Sequence, residues 1–160
     1  MFFEIDRRLT EWFADNGVKL LRISIGIIFV WFGGLKFFPG LSPAEGLALS
    51  TIDVITFGLM SHGVALVLLA TLEVAIGIGL LAGRWMRFIL LLLILQMIGT
   101  MSPVVLFPEI VFTQFPYGLT IEGQYIFKNF VVISAAMVIG ATVRGGGLVA
   151  KPLAKKFRTT

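Results

Sequence analysis

Four apolar stretches, each about twenty residues long, constrain this chain more than any other feature. They run over about residues 20–38, 63–82, 88–107 and 125–143. A helix needs roughly 20 apolar residues to cross the hydrocarbon of a bilayer. Backbone groups in lipid must be satisfied internally, so the choice lies between helices and the strands of a closed barrel. Barrel strands alternate in polarity and are about half this length. The spacing therefore predicts four helices. Composition agrees: 58% of the 160 residues are hydrophobic and 14% charged, against about 25% charged in a soluble domain. A soluble enzyme, a disordered chain and a disulfide scaffold are poor fits.

The balance of 13 Lys+Arg over 9 Asp+Glu resembles a nucleic-acid footprint until the bases are placed. Arg7, Arg8, Lys19 and Arg22 precede or open the first span. Arg84 and Arg87 lie between the second and third, and Arg144, Lys151, Lys155, Lys156 and Arg158 follow the fourth. Only Lys36 and Lys128 are left for the other side. The positive-inside rule then puts both termini in the cytoplasm. The excess is topogenic, its tail suits anionic headgroups, and nucleic acid is not an expected partner.

The expected fold is all-α, an integral membrane four-helix bundle forming a single transmembrane domain over residues 1–160. Residues 1–18 read as an amphipathic helix on the inner surface, with Ile5, Leu9, Trp12 and Phe13 on one face and Gly17 as its stop. In the first outer loop Ser42-Pro43-Ala44-Glu45 forms a capping box, and Ala48, Ile52, Ile55 and Leu59 repeat at helical spacing. That predicts a short helix across the outer mouth. The second outer loop, about 108–124, carries Pro108, Pro116 and Gly118 and reads as irregular. The first span, ending in Phe37-Phe38-Pro39-Gly40, lacks the small-residue site of a cleavable signal.

Ionisable groups inside a span are costly and mark functional sites by default. Here they are Arg22, Lys36, Glu73 and Lys128, with Gln96 as an uncharged companion. Helical geometry groups Arg22, Gly26, Phe29, Gly33 and Lys36 on one stripe of the first helix. Glu73 shares a face with Leu66, Ala70, Gly77 and Leu80, Gln96 with Leu92, Thr100 and Pro103, and Lys128 with Gln124, Ala135 and Ile139. Small and polar residues on one stripe favour helix contacts over lipid, so all four stripes are expected to turn inward. Lys36 and Lys128 are expected roughly 6 Å inside the outer boundary at 1.5 Å per residue, with Glu73 and Gln96 nearer the middle. Plainer roles stand beside these: lysines that snorkel outward, Arg22 as a boundary charge, Glu73 and Gln96 as interhelical glue. Ala75, Gly79 and Gly83 form a small-residue series on another face of the second helix, for internal packing or an oligomer contact. Without cysteine and with His62 alone, dithiol chemistry, iron–sulfur clusters and an ordinary zinc site have no ligands. His62 itself reads as an interfacial loop residue.

Several motifs together resemble a known family. Leu21-Arg22-Ile23-Ser24-Ile25-Gly26, running on to Trp31-Phe32-Gly33-Gly34-Leu35-Lys36-Phe37, resembles the opening span of the DoxX-like inner-membrane proteins, near their reactive-chlorine-resistance branch. Leu72-Glu73-Val74-Ala75-Ile76-Gly77, with Arg84 after it, and Gly123-Gln124-Tyr125-Ile126-Phe127-Lys128-Asn129 resemble the family's second-helix motif and fourth-helix start. The likeness covers about residues 20–145. It implies a small four-helix protein of the bacterial cytoplasmic membrane. Some relatives are linked to quinone-coupled thiosulfate oxidation and others to membrane complexes that resist oxidative stress. The same residues, Arg22, Lys36, Glu73 and Lys128, carry over. The bundle is also similar to that of vitamin K epoxide reductases, whose cysteine pair this chain lacks.

These readings lead first to an accessory membrane subunit. It would bind a quinone or lipid-like amphiphile in an outward-opening polar pocket formed by Lys36, Glu73, Lys128, Gln96 and Arg22, alongside a redox partner. Catalysis is not the first expectation; if present, it would be that of a quinone-linked oxidoreductase subunit. A small transporter or channel and a membrane-protein assembly factor are the alternatives, and homo-oligomerisation is open.

Overall fold

The computed structural model describes residues 2–42 and 45–148. Pro43 and Ala44 of the expected capping box, and the basic tail Lys151, Lys155, Lys156 and Arg158, lie outside the described residues. The element order is α1 (Phe2–Leu35), α2 (Glu45–Ile55), α3 (His62–Ala82), α4 (Met86–Met101), α5 (Pro103–Leu106), α6 (Pro108–Val111), β1 (Phe112–Gln114), β2 (Gly118–Leu119) and α7 (Ile121–Thr142). Four helical stretches are long and apolar enough to cross a membrane, with α4 and α5 counting as one.

The long helices alternate in direction, as the contacts between them require. Gly33 of α1 meets Glu73 of α3, and Arg22 meets Gly83. Gly79 of α3 faces Ile89, while Gln96 of α4 bonds Glu73. Gly140 of α7 lies against Leu90. One end of the bundle thus gathers Arg22, Arg84, Arg87 and Arg144 and is called the basic end; the other is the far end. Between them runs an apolar core that includes Phe29, Ile76, Leu80, Leu93, Ala136 and Ile139. The outward faces are equally apolar, with Trp31, Ile98 and Val131 exposed. A chain that is oily inside and outside is built for lipid; this is a multi-pass membrane protein.

The α1–α3 pair is the tightest in the bundle. A Cβ on Gly77 would lie 2.7 Å from the Val30 nitrogen and 2.8 Å from the Gly26 oxygen. One on Gly33 would lie 2.7 Å from the Glu73 Cβ and 3.0 Å from the Val74 nitrogen. In lipid, where burial of apolar surface does not drive helices together, such backbone-to-backbone packing does. The stripe read from the sequence is the contact line.

Several local expectations change. Gly17 does not stop a helix: α1 runs unbroken through it for 34 residues. A lone helical glycine costs only about 1 kcal/mol, and no proline or left-handed residue stands beside it to break the ladder. Residues 2–18 therefore continue the span beyond the basic end, with Ile5, Leu9, Trp12 and Phe13 about half exposed. Regular helix ends at Leu35, short of residue 38, and tight turns through Leu41 satisfy the backbone. The third span breaks at Ser102-Pro103, whose proline supplies no N–H. The inward stripe of α2 centres on buried Thr51, while Ile55 and Leu59 are exposed. The second outer loop is more ordered than expected: two short helices lead into an antiparallel pairing of β1 and β2. The fourth span starts at Ile121 rather than 125, because the Thr120 hydroxyl caps it by accepting from the Gly123 N–H at 3.0 Å.

Replacing Gly33 by valine should force α1 and α3 apart and lower stability by about 1–3 kcal/mol. Gly34→Ala is the control, since no atom lies within 4 Å of a Cβ there, and it should be neutral or slightly stabilising. Reversible unfolding in mixed SDS micelles measures both.

Candidate functional site

The close approach of α1 to α3 sets the distance across which side chains at its far-side edge can meet. Lys36 stands one residue past the end of α1, a turn beyond Gly33. Its Nζ donates to Glu73 Oε2 at 2.6 Å, and to the Phe32 carbonyl at 3.5 Å. Gln96 Nε2, from α4, donates to the other carboxylate oxygen at 2.9 Å. Each of the three residues is only 9% exposed. One carboxylate therefore ties three helices together.

Depth follows from register. Glu73 is eleven residues from His62 and nine from Ala82, so it lies about 16 Å and about 14 Å from the two ends of α3. That is mid-bundle, as expected. Lys36 is deeper than expected, because the regular helix ends near the level of Glu73 and the amine turns inward instead of snorkelling. Its position at the C-terminal end of α1 also suits a cation, since the carbonyl end of a helix carries partial negative charge.

Glu73 accepts from both neighbours, one at each carboxylate oxygen. The carboxylate thus fixes the Gln96 amide with its NH2 inward and its oxygen turned away. That oxygen, Oε1, is buried and meets no hydrogen-bond donor among the described residues. A buried acceptor without a donor costs about 1–3 kcal/mol. Lys36 also has N–H capacity to spare, since its second contact is long. The cluster thus presents one unmatched acceptor beside an incompletely used cation.

Two other candidates do not join this cluster. Arg22 lies at the basic end, where Nη1 donates to the Leu80 carbonyl at 2.5 Å and approaches that of Leu81 at 3.4 Å. It closes the C-terminus of α3, whose next residue, Gly83, has φ +66°. A side chain at Gly83 would collide with the guanidinium, so glycine is required twice over. Lys128 is exposed, contrary to the inward stripe expected of it. Its Nζ sits 5.0 Å from the centre of the Tyr125 ring, one turn nearer the far end. α7 buries opposite faces along its length, Gly123 and Ile126 near the far end and Ala135, Ala136 and Ile139 further on; Lys128 shares the face of Ala135 and Ile139 but stands at the far-end level, where that face is exposed. The small-residue series serves internal packing at Gly79, against Ile89, and at Gly83, while Ala75 is exposed.

One pair escaped the sequence reading. His62 Nε2 lies 2.8 Å from Asp53 Oδ2, joining α2 to the start of α3 at the far end. Their nine-residue separation crosses a turn, and no periodicity signals it. Two shallow surface depressions, lined by Trp85, Met86 and Phe88 and by Phe57, Met60 and Val64, sit at opposite ends of the bundle. Neither is lined by Lys36, Glu73 or Gln96.

A polytopic α-helical bundle with an ion pair and an amide locked at its mid-depth defines the class. Residues 17–108 match the DoxX family model, and the chain belongs to the DoxX family. No curated protein and no solved structure matches it.

Glu73→Gln should cost about 3 kcal/mol, because it leaves the Lys36 charge buried without its partner. Adding Lys36→Met should recover much of that loss. The same micelle unfolding, run as a double-mutant cycle, checks the coupling; additive losses would mean that the pair contributes nothing as a pair.

Proposed function

We propose that this DoxX protein is an accessory subunit of a bacterial cytoplasmic membrane complex. In this reading it binds a polar-headed amphiphile of the quinone or lipid class at Lys36, Glu73 and Gln96. The observation that carries the proposal is the unpartnered Gln96 Oε1 beside the Lys36–Glu73 pair, at mid-depth. The amide gives the ion pair one further bond at Glu73 but leaves its own oxygen free, and that oxygen costs stability. A site awaiting a ligand has a use for it. A bound head would complete the hydrogen bonds while its apolar tail lay among lipid-facing residues. Arg22 and Lys128 take supporting places, one holding α3 at the basic end and the other near the boundary, where it can meet a headgroup. Redox or oxidative-stress partners enter as the membrane proteins that would deliver or use the amphiphile.

A transport reading has one observation in its favour. Regular helix in α1 ends at mid-depth beside the charged pair, and interrupted helices at the midplane are a habit of transporter binding sites.

Gentle purification followed by native mass spectrometry should find an amphiphile bound to the wild type and lost from the Glu73→Gln/Lys36→Met double variant. Protein that carries no amphiphile, or equal retention by the variant, overturns the proposal. Solute flux into proteoliposomes that depends on Glu73 would establish transport in its place.

A further inference from the structure

The hydrogen bonds of the cluster select among amphiphiles. We infer that Gln96 is a specificity-determining residue whose free oxygen favours heads bearing a hydroxyl donor, so that alcohols, phenols and hydroquinones bind in preference to ethers and quinone carbonyls. The inference rests on the reading that the Lys36–Glu73–Gln96 cluster takes an amphiphile.

The argument turns on which way the Gln96 amide faces. Nε2 is held on Glu73 Oε1 at 2.9 Å, and Glu73 Oε2 is held by the Lys36 ammonium at 2.6 Å. Flipping the amide would set its oxygen against a carboxylate oxygen, two acceptors facing each other. With Lys36 on one carboxylate oxygen, the other accepts from the Gln96 NH2 as the amide stands. The outward group is therefore an acceptor, more than nine-tenths buried with its residue and unmatched. An ether or a ketone brings only acceptors, so it leaves Gln96 Oε1 stranded in a site that it has just dehydrated. A hydroxyl donates to Gln96 Oε1 and keeps lone pairs that can accept from the spare N–H of Lys36. Sites built to hydrogen-bond a hydroxyl reject analogues that lack it because their own buried polar groups are left unpaired.

The test uses a pair of probes that differ in one donor, 4-decylphenol and its methyl ether 4-decylanisole. Each is titrated calorimetrically into the full chain in phosphatidylcholine nanodiscs, with empty nanodiscs subtracted. The phenol should bind about tenfold more tightly, the discrimination that one hydrogen bond to a buried acceptor supplies. In Gln96→Leu, or in Gln96→Met should the leucine variant fail to fold, the preference should vanish. Equal affinity of the two probes for wild type overturns the inference, and a resident water already satisfying Gln96 would give that result; the amphiphile site itself would stand. A preference that survives the loss of Gln96 overturns it too. Binding of neither probe above empty nanodiscs overturns the underlying reading as well.

Discussion

The backbone contact between α1 and α3 is the constraint on which the rest of the structure depends. Gly26, Gly33 and Gly77 remove the side chains that would hold the two helices at an ordinary distance. At each edge of that contact line a cation from α1 reaches across to α3. Arg22 takes the carbonyl end of the helix, and Lys36 takes the carboxylate at its middle. The two clamps are fourteen residues apart, about 21 Å along the axis. A bulky residue between them would move both from their partners at once.

Placing charge at mid-depth is tolerable only because the charges cancel locally. An isolated carboxylate in hydrocarbon is expensive, whereas a carboxylate accepting from an ammonium and an amide keeps most of its hydrogen bonds. The arrangement divides the bundle unevenly. α1, α3 and α4 are joined by directional polar bonds around Glu73, while α7 is held to α4 largely by small and apolar side chains such as Ala135, Ala136 and Ile139. Directional bonds fix register and orientation; apolar packing in lipid fixes them less strictly. Such directional bonds suit the proposed site, whose selectivity would depend on the facing of one amide.

How much of this was legible in the sequence varied with the physics behind each signal. Span number and helix faces depend on length and on a period of 3.6, so the stripe from Arg22 to Lys36 and the face of Glu73 read directly. Lys128 misled because α7 buries the face of Gly123 and Ile126 near the far end and the opposite face, that of Ala135 and Ile139, further along. Gly17 misled because glycine weakens a helix without ending it. The start of α7 at Thr120 and the β1–β2 pairing rest on capping and turn geometry within a loop, where hydropathy carries no signal. His62 and Asp53 meet across a turn, a contact that neither residue announces alone.

The sequence by itself determined that the chain lives in a bilayer, how many times its helices cross and which residues are too costly to be there without reason. Those properties follow from transfer free energies, which are local and additive along a chain. Only the tertiary structure decided which of the costly residues meet: that Glu73 takes Lys36 and Gln96, that Arg22 closes a helix end and that Lys128 stands apart. Those outcomes depend on how closely helices approach and in what register, and three glycines set both through contacts that exist only when the helices are side by side.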